Sequence, residues 1–109
     1  DLVEKGAGEK SSDVAKRVGY AREIQQERFA QMGILTNAQV TAEWLDKDLP
    51  ISSTAHTTFL NAAERMKLSA RAYHRLLKVA LTIADLAENT EITQNHVAEA
   101  LSYRRLRTA

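Results

Sequence analysis

Apolar residues recur along this chain at spacings of three and four, the period of an amphipathic α-helix, and no stretch alternates as a β-strand does. Residues that favour helices are abundant, whereas Pro occurs once, at Pro50. We therefore predict an all-α fold, a small bundle of about four to five helices over residues 11–109. Residues 1–10 carry Gly6 and Gly8 in a mixed-charge run and are predicted to be a flexible linker.

The first helix is predicted to start at a cap on Ser11 or Ser12, to run to about Gln31 and to end at Gly33. Its inner face is expected to be a narrow apolar stripe of Val14, Val18 and Ala21. Because the rest of its surface is polar, this helix should pack on one side only.

Two further helices are expected, one before and one after Pro50, which breaks the helical pattern. The earlier, short helix would be capped by Asn37, and the later one by Ser52 or Ser53. The earlier helix is expected to carry Val40, Trp44 and Leu45, and the later one to have Phe59, Leu60, Ala63 and Met66 facing inward.

The clearest helix signal begins at Ser69, where Leu68 and Tyr73 have the spacing of a hydrophobic staple around an N-cap. Thr93 is predicted to cap the last helix, with a staple of Ile92 and Val97. The helix from Ser69 carries two apolar stripes, which predict that it is central: Tyr73, Leu76, Leu77, Ala80 and Ala84 in one, and Val79, Ile83 and Leu86 in the other.

A basic ridge, defined as Arg71, Arg75 and Lys78 in line with Thr82, occupies the remaining face of the central helix. Simple solvation is the commonest reason for such a face. Arg71, however, lies two residues after the cap, where the helix dipole disfavours a cation. A guanidinium and free helix N–H groups at that place suit an anionic ligand such as a phosphate.

Composition narrows the classes of function. Fifteen Lys and Arg against fourteen Asp and Glu give a net charge of +1, so no overall excess indicates nucleic acid or anionic membrane. The absence of Cys excludes disulfides and thiolate chemistry and favours the cytoplasm as the compartment. The longest apolar stretch, around residues 76–86, contains Lys78 and Asp85, so we expect no membrane span.

No catalytic motif is convincing. The run Gly6–Ser12 ends in Lys and Ser like a P-loop, but Glu9 stands where a Gly must precede the Lys. His56, His74 and His96 fall in three helices without a second ligand at metal-site spacing, so we interpret them as surface or helix-edge residues and expect no metal site. Every Ser or Thr near a helix start is already explained by capping.

The run Leu68–Ala80, followed by Thr82–Leu86, closely resembles the C-terminal domain of magnesium-chelatase-like AAA+ ATPases of the ComM and YifB group. The resemblance extends over nearly the whole chain, through Gly8-Glu9, Ser11-Ser12, Val18, Ala21-Arg22, Gln25, Asn37-Ala38, His96–Leu101 and Tyr103-Arg104.

The resemblance implies a helical lid that follows an AAA+ core, with residues 1–10 as the connection. It implies that the parent protein uses ATP and Mg²⁺, whereas this segment alone binds neither and is not an enzyme, because the P-loop and Walker B acid would lie upstream. The Ser-Ala-Arg start of the central helix is similar to the sensor-2 motif, which makes Arg71 the nucleotide-sensing residue, with Arg75 and Lys78 as supporting neighbours. Expected partners are the core, adjacent subunits of a homo-hexameric ring and, through the full-length protein, DNA during helicase or branch-migration activity in natural transformation.

One position departs from the family, which commonly has Arg where this chain has Leu81. If that Arg serves a subunit interface, the contact here would be weakened or apolar. Two other readings stay open: a stand-alone helical module that binds nucleic acid or protein through its basic residues, including Arg104, Arg105 and Arg107, and a small enzyme that uses His74 or His96 as a base.

Overall fold

The computed structural model describes residues 10–30, 32–34 and 36–108, with side chains described as far as Arg104. These residues form an all-α bundle, as predicted. A short 3₁₀ turn, Asn37–Gln39, lies between the first two helices. The α-helices are α1 (Ser11–Arg28), α2 (Ala42–Lys47), α3 (Ser53–Arg65), α4 (Ala70–Leu86) and α5 (Gln94–Thr108). Of the predicted linker only Lys10 belongs to the described residues; it is exposed and directly precedes α1.

Side-chain caps fix the starts of α3 and α4 where the sequence predicts them. The Ser52 hydroxyl accepts a hydrogen bond from the backbone N–H of Ala55, and the Ser69 hydroxyl accepts one from Ala72, each at 3.1 Å. Each bond satisfies one of the N–H groups that a helix start leaves without an intrahelical partner. These local contacts position α3 and α4 independently of the rest of the chain.

The start of α5 uses a histidine in place of the usual acidic capping residue. The helix begins directly after Thr93, and the backbone N–H of Thr93 donates to Nδ1 of His96 at 3.0 Å. This is the returning half of a capping box, with an imidazole nitrogen as the acceptor. His96 is buried in the first turn of α5, so of the two predicted positions, surface or helix edge, the surface position is wrong for this residue. The staple residues Ile92 and Val97 are both fully buried.

Helices α3 and α4 both end in a Schellman motif that has no glycine. After α4, the N–H of Asn89 bonds to the carbonyl of Ala84 and that of Glu88 to Asp85, with Glu88 at φ 61°. After α3, Lys67 has the same left-handed conformation at φ 54°. Glycine is the usual residue at this position because it has no Cβ to clash with the backbone.

A single parallel bridge between Ile51 and Ile92 joins the segments that lead into α3 and α5. Ile92 donates its N–H to the carbonyl of Pro50 at 2.8 Å, and Ser52 donates to the carbonyl of Ile92 at 3.1 Å. The two helices therefore begin side by side, and α4 contacts α5 extensively along its length.

The core lies around α4, as its two apolar stripes predict. Its buried side chains include Phe29, Phe59, Leu76, Leu77, Leu81, Ile92 and Val97. On α3 the inward face is formed by Ala55, Phe59 and Ala62, whereas Leu60 is 47% exposed and its predicted inward position was wrong. One residue corresponds to a rotation of 100° around a helix, which moves Leu60 out of the inner face.

Helix α1 differs from its prediction at both ends. The residue before it is Lys10, which makes no side-chain cap, so neither Ser11 nor Ser12 caps the helix. It ends at Arg28 rather than near Gln31, because Phe29 turns into the core.

Its predicted apolar stripe is only partly buried. Ala21 packs inward, whereas Val14 and Val18 are 40% and 37% exposed. Every residue from Ser11 to Lys16 is exposed, so the first turns of α1 extend beyond the core that buries its second half.

The short helix α2 is capped by Thr41, whose hydroxyl accepts from the N–H of Trp44 at 3.1 Å. Asn37 begins the 3₁₀ turn instead, and its side chain is buried, so its predicted capping role was wrong. Trp44 and Leu45 lie in α2 as predicted, whereas Val40 follows the 3₁₀ turn and precedes the helix. Val40 and Leu45 are buried, and the ring of Trp44 packs edge-on against Phe29 with 5.4 Å between centroids.

Leu81 is 1% exposed and belongs to the core of the domain. The Leu at this position therefore does not form an exposed contact, weakened or apolar, at a subunit interface. The leucine packs inside its own bundle.

Candidate functional site

A buried polar network connects α1, the 3₁₀ turn and α4. The guanidinium of Arg28 donates two hydrogen bonds to the carboxylate of Asp85, at 2.8 and 3.0 Å, and a third to Oδ1 of Asn37 at 3.0 Å. The Asn37 amide group donates to Asp85 at 2.9 Å and to the hydroxyl of Thr82 at 3.1 Å. The Gln25 side chain accepts from the backbone N–H of Asn37 at 3.0 Å.

This network explains several residues that carry the family resemblance. Gln25, Asn37, Thr82 and Asp85 are far apart in sequence but bond to one another or to the same partner. Asp85 is 1% exposed, so its charge needs the bidentate partner that Arg28 supplies. The network fixes α1 and the 3₁₀ turn on one side of α4.

Sequence analysis did not assign Arg28 a role. One signal was present: Asp85, the one acidic residue of the central helix, lies between Ala84 and Leu86. A buried carboxylate requires a cation, but 57 positions separate Asp85 from Arg28, and the sequence has fifteen Lys and Arg from which to choose.

The predicted basic ridge is divided in the structure. Arg71 is exposed in the first turn of α4 and makes no hydrogen bond or ion pair with any of the described residues; the same holds for Arg75, one turn later. Lys78, by contrast, donates from Nζ to the backbone carbonyl of Ala38 at 3.0 Å, and Thr82 belongs to the buried network. Arg71 and Arg75 are therefore the two members available for an external anion.

An open groove, which we call the α4 groove, lies on the face of α4 between α1 and α5. It has a volume of about 680 Å³. It is lined by Arg17, Ala38, Arg75, Lys78, Val79, Thr82, Ile83, Leu86, Ala87, Glu99 and Tyr103. Arg75 and Lys78 thus point to the groove, whereas Arg71 is not among its lining residues.

Two tyrosines, one of them at the wall of the α4 groove, have a raised pKa. At the wall of the α4 groove, Tyr103 donates to the carboxylate of Glu99 at 3.0 Å, and this hydrogen bond, together with the charge of Glu99, raises the pKa of the phenol. Burial and, second, the negative charge of Asp46 raise the pKa of Tyr73. Both phenols therefore remain neutral donors at physiological pH.

The three histidines lie apart, and each has a different environment. His56 is exposed, His74 lies 3.0 Å from the carboxylate of Asp46, and His96 is used in the cap of α5. Within the described ranges no group of three His, Asp or Glu side chains has a metal-binding arrangement. The P-loop-like run falls mainly in residues 1–9, outside the described residues.

None of the described helices is both long and apolar enough to cross a bilayer.

The chain matches the family model described as "Magnesium chelatase, subunit ChlI C-terminal" over residues 8–104. It therefore belongs to this family and corresponds to the C-terminal domain of ComM- and YifB-like proteins. The resemblance read from the Leu68–Leu86 region is confirmed.

Among its relatives, competence protein ComM of Haemophilus influenzae is 40% identical over 97 residues, which cover 89% of this chain and 18% of ComM. An uncharacterized protein of Mycobacterium tuberculosis is also 40% identical, over 89% of this chain and 19% of its own length. YifB of Escherichia coli is 37% identical over the same share of this chain. The chain thus spans about a fifth of the length of these relatives, and no solved structure matches it.

Proposed function

We propose that this domain is the sensor-2 lid of a ComM-type AAA+ ATPase and that Arg71 reads the nucleotide state of a ring. The proposal is supported by membership in the magnesium chelatase C-terminal family and by the name of a relative, competence protein ComM. The observation that carries it is that Arg71 is exposed at the start of the central helix and makes no bond to any described residue.

The surroundings of Arg71 suit a phosphate. Ser69 caps the N–H of Ala72, and the N–H groups at the very start of a helix have no intrahelical acceptor. They and the guanidinium can bond to the oxygens of one anion, whose charge is also favoured by the helix dipole. Arg71 therefore lies where the helix dipole disfavours an unpaired cation, and a bound anion offsets this unfavourable interaction.

Movement follows from a difference in affinity between two nucleotide states. A guanidinium that pairs with a γ-phosphate loses that partner after hydrolysis, so the position of the lid depends on whether a triphosphate or a diphosphate is bound. The hydrolytic chemistry belongs to the AAA+ core of the parent protein with ATP and Mg²⁺. We favour a nucleotide held by the neighbouring subunit of a hexamer as the partner of Arg71.

The buried network gives this movement a rigid body to act on. Because Arg28, Asn37 and Asp85 hold α1 and the 3₁₀ turn against α4, a force on the first turn of α4 displaces all of these elements together. In a ring that acts on DNA during branch migration in the cytoplasm, this displacement would couple hydrolysis to subunit rotation.

The test is Arg71→Ala in the full-length protein, with ATP hydrolysis and DNA unwinding measured in parallel. We expect a loss of at least tenfold in ATP-coupled activity while the lid remains folded, because a guanidinium at a transferring phosphate contributes far more than that in related ATPases. Arg65→Ala is the matched control, since Arg65 is an exposed arginine at the end of α3, outside the proposed site.

Near-normal activity of the Arg71→Ala protein would refute the assignment, and so would an equal loss in the Arg65→Ala protein. The alternative, a stand-alone module that binds nucleic acid, makes a different prediction. It requires that the isolated chain bind DNA tightly with a steep dependence on salt. We expect weak or no binding.

A further inference from the structure

The inner face of α1 continues beyond the part of the helix that the bundle covers. Val14, Val18, Ala21 and Gln25 recur at spacings of three and four, so they lie on one side of the helix. Ala21 and Gln25 are buried, whereas Val18 and Val14, about one and two turns before Ala21, remain exposed. A helix face that is apolar, aligned with a buried face and yet uncovered is typical of a surface that another element covers.

The α4 groove reaches α1 at Arg17, the residue before Val18 in the sequence. Helices α1 and α5 both pack on α4 but make no extensive contact with each other, so a channel remains between them. Its floor includes Val79, Ile83 and Leu86, which are only half-buried although they form one of the two apolar stripes of the central helix. The first stripe of α4 is mostly buried, whereas the second packs on the core through Val79 and Ile83 but is only partly covered by the bundle.

The shape of the groove fits an α-helix. The lining residues on α4 run from Arg75 to Leu86, twelve residues that correspond to about 18 Å of helix, and Ala87 directly follows the helix. These α4 residues recur at spacings of three and four, so they form a straight row along the floor of the groove, with α1 on one side and α5 on the other. An occupying helix of about 12 residues would complete the packing around α4, in the helix-in-groove mode of recognition.

The charged residues that line the groove indicate the charge of the helix that would bind there. Three cationic side chains, Arg17, Arg75 and Lys78, line it against one carboxylate, Glu99. Arg17 already interacts with another residue, whereas Arg75 bonds to no described residue and Lys78 only to the neutral carbonyl of Ala38, so Arg75 and Lys78 supply the positive charge that is open to a ligand. Glu99 is moreover already bonded to the hydroxyl of Tyr103.

We propose that the α4 groove is a docking site for an acidic amphipathic helix of a separate partner protein. Apolar side chains of that helix pack on Val79, Ile83 and Leu86, and a carboxylate near one end pairs with Arg75. The inner face of α1 at Val14 and Val18 extends the contact. Arg71, the proposed sensor, is not among the lining residues, so the two sites can be tested by separate substitutions.

The probe is a helix-stabilised synthetic peptide of about 14 residues, long enough to span the groove, with leucines at i, i+4 and i+7 and glutamates beside them. A matched peptide carries lysines in place of the glutamates. Fluorescence anisotropy measures the binding of both to the 109-residue chain. We expect the acidic peptide to bind at least tenfold more tightly than the basic one, with an affinity that falls as salt is raised.

Charge reversal at Arg75 is the most informative variant of this experiment. The Arg75 side chain is exposed and bonds to no described residue, so its replacement leaves the fold intact. Arg75→Glu should weaken the acidic peptide at least tenfold and improve the basic one. Arg65→Glu, outside the groove, should change neither. Replacement of both Val14 and Val18 by Ser should weaken both peptides, since the exposed apolar contact is lost without a charge change.

The proposal is overturned if the two peptides bind equally, if neither binds, or if Arg65→Glu has the same effect as Arg75→Glu. It is also overturned if duplex DNA competes for Arg75 and binds the chain more tightly than the acidic peptide does, because the groove would then serve a nucleic acid. Loss of ATP coupling in the Arg71→Ala protein, with peptide binding unchanged, would separate this site from the proposed sensor.

Discussion

Removal of one member of the Arg28–Asp85 pair should have very unequal effects on stability. Arg28 forms two hydrogen bonds with Asp85 and one with Asn37, and Asp85 has only 1% of its side-chain surface exposed against 15% for Arg28. In the Arg28→Met protein, the carboxylate keeps only the amide of Asn37 as a partner. An uncompensated buried charge of this kind costs about 3–5 kcal/mol, a large part of the roughly 5–15 kcal/mol that stabilises a domain.

Asp85→Asn should cost less, about 1–3 kcal/mol. The partly exposed guanidinium of Arg28 can turn toward water, so it is not left buried without a partner. The double variant Arg28→Met with Asp85→Leu removes both charges, and we expect it to be more stable than Arg28→Met alone. The double-mutant cycle then measures the coupling between the two side chains.

Urea unfolding of the 109-residue chain, followed by far-ultraviolet circular dichroism, gives the free energy of unfolding for each variant. Fluorescence of Trp44 reports locally, because its ring packs on Phe29, the residue after Arg28. If Arg28→Met costs less than about 1 kcal/mol, or no more than Asp85→Asn, then the buried carboxylate does not depend on Arg28 and the reasoning is wrong.

Three further predictions concern local contacts. Glu88→Gly should raise the midpoint of thermal unfolding, by removing roughly 1 kcal/mol of strain at a left-handed residue, whereas Glu88→Ala should not. Ser69→Ala should lose about 1 kcal/mol in urea unfolding because it removes the cap of α4; Ser11→Ala, at a position that caps nothing, is its control, and equal losses would contradict the assignment. The raised pKa of Tyr73 means that the folded state holds the phenolic proton more tightly, so its contribution to stability is present below the usual pKa of 10.0 and is lost as pH rises through the folded value. The alkaline decline in stability should therefore be shallower in the Tyr73→Phe protein, and an unchanged slope would count against the perturbation.

Those parts of the fold that depend on neighbours in sequence could be predicted. Ser52, Ser69 and Thr93 mark the starts of three helices because a cap and its N–H partner lie within three positions of each other. The same local logic extends to His96, whose place three residues after Thr93 matches that of Glu in a capping box. The sequence signal was available there but was not used.

Features that depend on distant partners could not be predicted. The stripe of Val14, Val18 and Ala21 has a helical period, but the period does not show how much of α1 the rest of the bundle covers. The partner of Asp85 lies 57 positions away, and no rule of spacing identifies it. The nucleotide-sensing role of Arg71 is a prediction from resemblance, to which the structure adds that the side chain is exposed.

The pairing of Ile51 with Ile92 offers a natural internal reference for hydrogen-exchange measurements. The N–H groups of Ser52 and Ile92 are bonded across this pairing, between segments about 40 positions apart in the chain, so they can exchange only when α3 and α5 separate at their bases. Amides in the first turns of α1 exchange through fraying instead, because no core covers them. The ratio of hydrogen-exchange protection between these two sets of amides needs no attached label. It would distinguish a partner that binds on α1 from one that stabilises the whole bundle.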